Sequence, residues 1–213
     1  MAVAARYAQQ KLGLQRVVIV DWDVHHGNGT QDIFYNDPSV LLISLQRWPQ
    51  WPHTGWFTEV GMDGGEGYTV NIPLPRDTGD RGYLRAWDLV VAPIVQQYQP
   101  ELILLSAGFD AHELDPLGGQ RMSSQGFAFL GARTAKLARQ LNVKVVAMLE
   151  GGYSRTALKE SVPLTMRGLL GLVDRQATAA LTVDENPVSV DRHIDAVRGH
   201  LANYWSCLRA HAS

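Results

Sequence analysis

Val17-Val18-Ile19-Val20-Asp21-Trp22-Asp23-Val24-His25-His26-Gly27-Asn28-Gly29 is the stretch that decides the fold. An apolar run ends in a carboxylate, continues as Asp-x-Asp-x-His and breaks in a glycine-rich turn. The apolar part reads as a fully buried strand, stopped by Gly27 and Gly29. Side chains of an extended segment alternate between faces, so Asp21, Asp23 and His25 share one side if that geometry persists. Two carboxylates and an imidazole crowded there repel, or strand charge, unless something positive sits between them. A divalent metal is the economical answer, and Asp with His can serve as a zinc ligand set. A polar loop with solvated acids is the competing reading, and this cluster alone does not separate the two.

Working outward, apolar runs at Val40–Ser44, Leu102–Leu105 and Val143–Leu149 read as further strands, with a weaker alternation from Tyr68 to Pro75. Helical spacing places Val3, Ala4, Tyr7 and Ala8 on one face of residues 2–12, which Gly13 ends. Asp32 to Tyr35 forms a helical turn. Leu84, Trp87, Val91 and Ile94 mark a helix over 82–97, kinked at Pro93. Ser123 or Ser124 caps a helix to Leu141 that turns Phe127, Leu130, Leu137 and Leu141 inward. Helices over 155–171 and 190–209 follow, with a surface loop at 173–188. Strands alternating with helices define an α/β fold with a mostly parallel sheet, in one domain over residues 1–213.

Ligands of such sheets bind beyond the carboxyl ends of the strands. Chemistry-bearing residues stand there three times: Asp21, Asp23 and His25; then Ser106-Ala107-Gly108-Phe109-Asp110-Ala111-His112; then Glu150-Gly151-Gly152-Tyr153. Three strand ends carry an acid, an imidazole or a phenol beside small residues that admit a ligand. Between the second and third strands, Trp48, Trp51 and Trp56 among prolines and glycines suggest a wall around something.

Composition excludes several classes. The hydrophobic content of 46%, charged content of 19% and net charge of −2 are those of an ordinary globular protein with no basic tract for nucleic acid. One cysteine, Cys207, permits no intrachain disulfide and no cysteine-based metal site. With no membrane-length apolar run and no secretory signal at the start, a cytoplasmic location without membrane contact is expected.

The three strand-end motifs, with Asp115-Pro116-Leu117-Gly118, resemble the zinc-dependent histone deacetylase family, which includes acetylpolyamine amidohydrolases and acetoin-utilisation proteins. Asn28 and Thr30 bring the chain nearer the class II branch. The resemblance implies the three-layer arginase/deacetylase fold, and zinc on Asp23, His25 and Asp110 with a coordination position left for substrate. It implies Tyr153 as the hydrogen-bond donor to the substrate carbonyl and developing oxyanion. Gly151 and Gly152 leave room for an acyl-lysine chain, and Trp51 and Leu117 line the tunnel. It places a structural potassium ion on Asp21, Ser44 and the main chain around Leu45, and a second near Phe34, Asp37, Val40 and Tyr68. His26 stands behind the ligands. Substrates are then acyl-lysine, acetylpolyamine or small acyl esters.

One departure carries consequences. The family's tandem His-His, its general base, lies upstream of the position at which this sequence starts, and Asp21 and Asn28 match the residues that orient it. The chain is therefore expected to lack the N-terminal strands and that base, and to hydrolyse esters better than amides. His53 on the tryptophan loop is the candidate replacement base. Bared sheet edge favours a homo-oligomer. An inactive zinc-binding relic acting by association, and half of a split enzyme, stand beside the hydrolase reading.

Overall fold

The computed structural model describes residues 1–173, 181–184 and 186–209. Five parallel strands form one sheet: β1 (Val17–Asp21), β2 (Val40–Arg47), β3 (Thr69–Leu74), β4 (Leu102–Ala107) and β5 (Lys144–Leu149), in the order β3-β2-β1-β4-β5. The helices are α1 (Ala2–Leu12), α2 (Asn28–Phe34), α3 (Asp80–Ala86), α4 (Ala92–Tyr98), α5 (Ser124–Leu141), α6 (Arg155–Leu169) and α7 (Pro187–Leu201).

Strand parity divides the core. Val18 and Val20 face one side with Trp22, Tyr83, Trp87, Phe127 and Ile194, against α3 to α7. Val17 and Ile19 face the other with Ala5, Ala8, Phe34 and Leu42, under α1 and α2. Helices thus cover both faces of a central sheet, the three-layer architecture. Parallel pairing puts every carboxyl end at one rim, where Asp21 lies in register between Ser44 of β2 and Ser106 of β4. The three motif loops therefore emerge side by side.

The structure corrects the sequence reading in four places. On α1, Ala5 and Ala8 are buried, whereas Val3 and Tyr7 are exposed, because only the small alanines fit against the sheet. The expected kink at Pro93 is taken up upstream by a π-helical turn at Trp87–Val91, with Pro93 in the first turn of α4. Proline has no N–H to continue the ladder, and a wider turn absorbs the mismatch. Strand β5 is apolar but not buried: it is a sheet edge, and Val146 and Leu149 are 44% and 63% exposed. The last helix, expected over 190–209, runs from Pro187 to Leu201: it starts early because the Asn186 side chain accepts from Ser189 N–H at 3.0 Å, and Ser206–Leu208 forms a separate 3-10 turn.

The expected surface loop at 173–188 lies partly outside the described residues. Its described portion is pinned inward. Thr182 N–H donates to Asp80 Oδ2 at 2.9 Å, and Asp184 Oδ1 accepts from the N–H groups of Gly79 at 2.8 Å and Gly82 at 3.1 Å.

Candidate metal centre

Strand pairing ends at Asp21, and the chain bends rather than continuing extended. The Asp21 carboxylate turns back to accept the Asp23 N–H at 2.9 Å. It is not the second acid of the cluster. That place belongs to Asp110, from the loop after β4.

His25 Nδ1 lies 3.1 Å from Asp23 Oδ1 and 3.0 Å from Asp110 Oδ2. Ligand atoms of Asp23, His25 and Asp110 all fall within 4.8 Å of one another. Each carboxylate is held by main chain: Val24 N–H donates to Asp110 Oδ1 at 2.8 Å and Gly151 N–H to Asp23 Oδ2 at 2.9 Å. The donor set, one nitrogen and two carboxylates, suits a borderline divalent cation.

Two glycines make the cradle. A Cβ on Gly151 would overlap the carboxylates of both Asp110 and Asp23, and one on Gly108 would overlap Asp23. These positions tolerate glycine alone because backbone must pass against the ligand atoms.

Electrostatics show how strongly positive charge is wanted. Hydrogen bonding to Asp110, then to Asp23, raises the His25 pKa to about 10. Burial is the main reason that Asp110 rises to about 6. Asp23 is opposed by its own desolvation, but its hydrogen bonds with His25 hold it below the ordinary carboxylate range. A proton on His25 stands where a cation would, and a metal must displace it.

Tyr153 is 56% exposed at the mouth of the same site. Desolvation, then the Asp110 and Asp23 carboxylates, push its phenol pKa up. Its position is set by Asp115, which the sequence reading left without a role. Asp115 Oδ2 accepts the Tyr153 N–H at 2.6 Å, and Oδ1 accepts the N–H groups of Leu117 at 2.9 Å and Gly118 at 3.2 Å. The Asp-Pro-Leu-Gly spacing, an Asx turn into a glycine, was the signal available for it.

Trp51 and Leu117 are exposed on opposing loops, joined where Gln50 Nε2 donates to Leu117 O at 3.0 Å. His53 takes a left-handed φ of 67° and packs edge-on against Trp51, ring centroids 6.2 Å apart. His26 is buried and bonded to Thr54 Oγ1 at 2.8 Å and Gln31 Oε1 at 3.0 Å. Glu59, also missed, ties that network together: it accepts from Gln31 Nε2 and from the N–H groups of Gly55 and Trp56. Beside the trio, towards α1, an open cleft of about 320 Å³ is lined by Asp21, Asp23, Asn28, Ser106 and Glu150. Ser44 Oγ, next to Asp21 in the sheet, is buried without a hydrogen-bond partner, and burial raises the Asp21 carboxyl pKa.

A five-stranded parallel sheet with helices on both faces and a carboxylate–imidazole trio at its carboxyl rim defines a three-layer α/β protein with a candidate metal site. The Histone deacetylase domain matches residues 1–169, so the chain belongs to the histone deacetylase family. It is 44% identical over 202 residues to the rice protein "Histone deacetylase 10, chloroplastic", covering 93% of this chain and 46% of that one. It is 38% identical over 213 residues to a "Probable deacetylase" of Archaeoglobus fulgidus, covering 93% and 58%. Among solved structures, the histone deacetylase Clr3 superposes with a TM-score of 0.88 at 35% identity, covering 98% of this chain and 35% of that one. The HDA15 HD domain superposes with a TM-score of 0.85 at 36% identity, covering 97% and 56%. The chain thus spans about half the length of the two curated relatives.

Proposed function

We propose that this chain is a zinc-dependent hydrolase of acyl amides and esters, with Asp23, His25 and Asp110 as the zinc ligands. The observation that carries the reading is the glycine-lined trio, whose ligand atoms lie within 4.8 Å of one another. Zinc in such a setting supplies Lewis-acid polarisation and a water of lowered pKa. Asp110 and Asp23 are oriented for that ion by the Val24 and Gly151 N–H groups. The Tyr153 hydroxyl, kept protonated by its surroundings, donates to the acyl oxygen as negative charge develops there. Gly151 and Gly152 admit the acyl-lysine, acetylpolyamine or small ester substrate, while Trp51 and Leu117 flank its chain. A potassium ion on Asp21, Ser44 and the Leu45 carbonyl would satisfy the orphaned Ser44 hydroxyl.

Base catalysis is the weak part of these 213 residues acting alone. His25 belongs to the trio, and His26 is committed to Thr54 and Gln31. A positioned general acid–base contributes about 10²–10⁴-fold. An amide needs that proton delivered to its leaving amine, whereas an activated ester does not. The isolated chain therefore favours esters, with His53 as the remaining candidate base.

Zinc analysis combined with kinetics on a nitrophenyl acetate and an acetyl-lysine peptide tests the reading. Zinc-dependent ester turnover, abolished by Asp110→Ala and Tyr153→Phe, is expected. Stoichiometric zinc with no turnover of either substrate would identify a binding module instead. Amide turnover that appears only on adding a second polypeptide would identify half of a split enzyme.

A further inference from the structure

Tyr153 and the carboxylate–imidazole trio stand on separate loops, so their mutual placement needs a connection. Arg47, the last residue of β2, reaches both. Its main-chain N–H donates to Val24 O at 2.9 Å. Val24 lies between Asp23 and His25, and its own N–H donates to Asp110 Oδ1 at 2.8 Å. The Arg47 side chain makes the other contact: Nη1 donates to Gly118 O at 3.0 Å.

Gly118 belongs to the turn that holds Tyr153. Asp115 Oδ1 accepts the N–H groups of Leu117 and Gly118, and Oδ2 accepts the Tyr153 N–H. An unbroken run of hydrogen bonds therefore leads from Asp110 through Val24, Arg47, Gly118 and Asp115 to Tyr153.

The contact with the turn is close enough to demand glycine. A Cβ on Gly118 would overlap the Asp110 carbonyl. Gly119 takes a left-handed φ of 61°, and a Cβ there would lie 2.5 Å from Arg47 Nη1. The turn is thus packed against both the Asp110 main chain and the guanidinium. Among the described residues no carboxylate forms an ion pair with Arg47, and its side-chain hydrogen bond goes to the turn. A bond donated by a charged group to a carbonyl is stronger than a neutral one, which suits Arg47 to fix a turn.

We propose that Arg47 is a positioning residue that sets Tyr153 in register with the metal trio. Its kinetic consequence rests on the hydrolase reading; its effect on the Tyr153 main chain does not.

Arg47→Gln tests it. The glutamine amide ends near the place of guanidinium Nε, short of Gly118 O, while the main-chain bond to Val24 is kept. Zinc content should match that of the parent chain, and kcat on nitrophenyl acetate should fall about 10–10²-fold at unchanged KM, the scale of a small misplacement. Amide hydrogen exchange followed by NMR should quicken about tenfold or more at Gly118 and Tyr153 and stay at the parent rate at Val24. Arg47→Met reads the same quantities if Arg47→Gln does not fold. Unchanged kcat, equal exchange at Tyr153, or losses that extend to zinc and Val24 would each overturn the proposal. A parent chain that turns over no substrate would instead refute the hydrolase reading, and the exchange comparison would still decide this one.

Discussion

Gly151 has little freedom in the site. Its N–H holds Asp23, and its missing Cβ leaves space that the Asp23 and Asp110 carboxylates occupy. Gly151→Ala should lower bound zinc at least tenfold while the circular dichroism spectrum stays unchanged. Tyr153→Phe should do the converse, keeping zinc and lowering kcat by about 10²–10³-fold, the usual effect of deleting one oxyanion donor. At this scale the sequence was readable where a motif lies within one loop: Asp23 and His25 are two residues apart and meet. It was silent on Asp115, whose bond to the Tyr153 N–H joins residues 38 positions apart. Strand alternation by itself would group Asp21 with Asp23 and His25, but alternation holds only while the chain stays extended, and pairing stops at Asp21.

At the scale of elements, two contacts set how helices seat on the sheet. Ser123 caps α5, accepting the Gly126 N–H at 3.1 Å, and also donates to Asp80 Oδ2 at 2.6 Å. Ser123→Ala should cost about 1–2 kcal/mol in urea unfolding. Helix α1 is tied by Arg6, whose guanidinium meets Asp37 at 2.7 Å and lies 4.6 Å above the Phe34 ring. Partial burial works against Asp37 ionisation, but the Ser39 hydroxyl and N–H and then Arg6 outweigh it, holding the carboxyl below 3.8. A carboxylate depressed in the folded state contributes its stability in full above the unfolded value and loses it as pH falls through the folded one. Asp37→Asn should therefore cost roughly 0.5–1 kcal/mol at neutral pH, the pair being partly exposed, and nothing well below pH 3.8. Urea midpoints at the two pH values measure the difference. The Ser123 cap is legible in local sequence, whereas the Asn186 cap is passed over within the expected loop at 173–188. The π-turn before Pro93 is not legible there, because its cause is a register conflict several residues downstream.

At the scale of the molecule, the sheet has one edge that is apolar and open. Val145, Val146 and Met148 would be ordinary core residues in a covered strand, yet Val146 and Leu149 of β5 face solvent. We infer that a second copy covers this edge, so light scattering should report a homo-oligomer at micromolar concentration and Val146→Lys should dissociate it. A stable monomer in the parent chain would count against that assembly. Among the described residues no helix is long and apolar enough to cross a membrane.

By itself the sequence determined the α/β class, the alternation of elements, the three strand ends that carry chemistry and the family to which they belong. These depend on short-range patterns: apolar runs of strand length, helix caps, and motif residues within one loop. Tertiary structure alone decided how closely Asp110 approaches Asp23 and His25, that β5 is an edge, and that Asp115 holds the Tyr153 N–H. Each of those facts joins side chains from strands or loops far apart in the chain. Parallel pairing and register bring them together, and neither leaves a mark in local sequence.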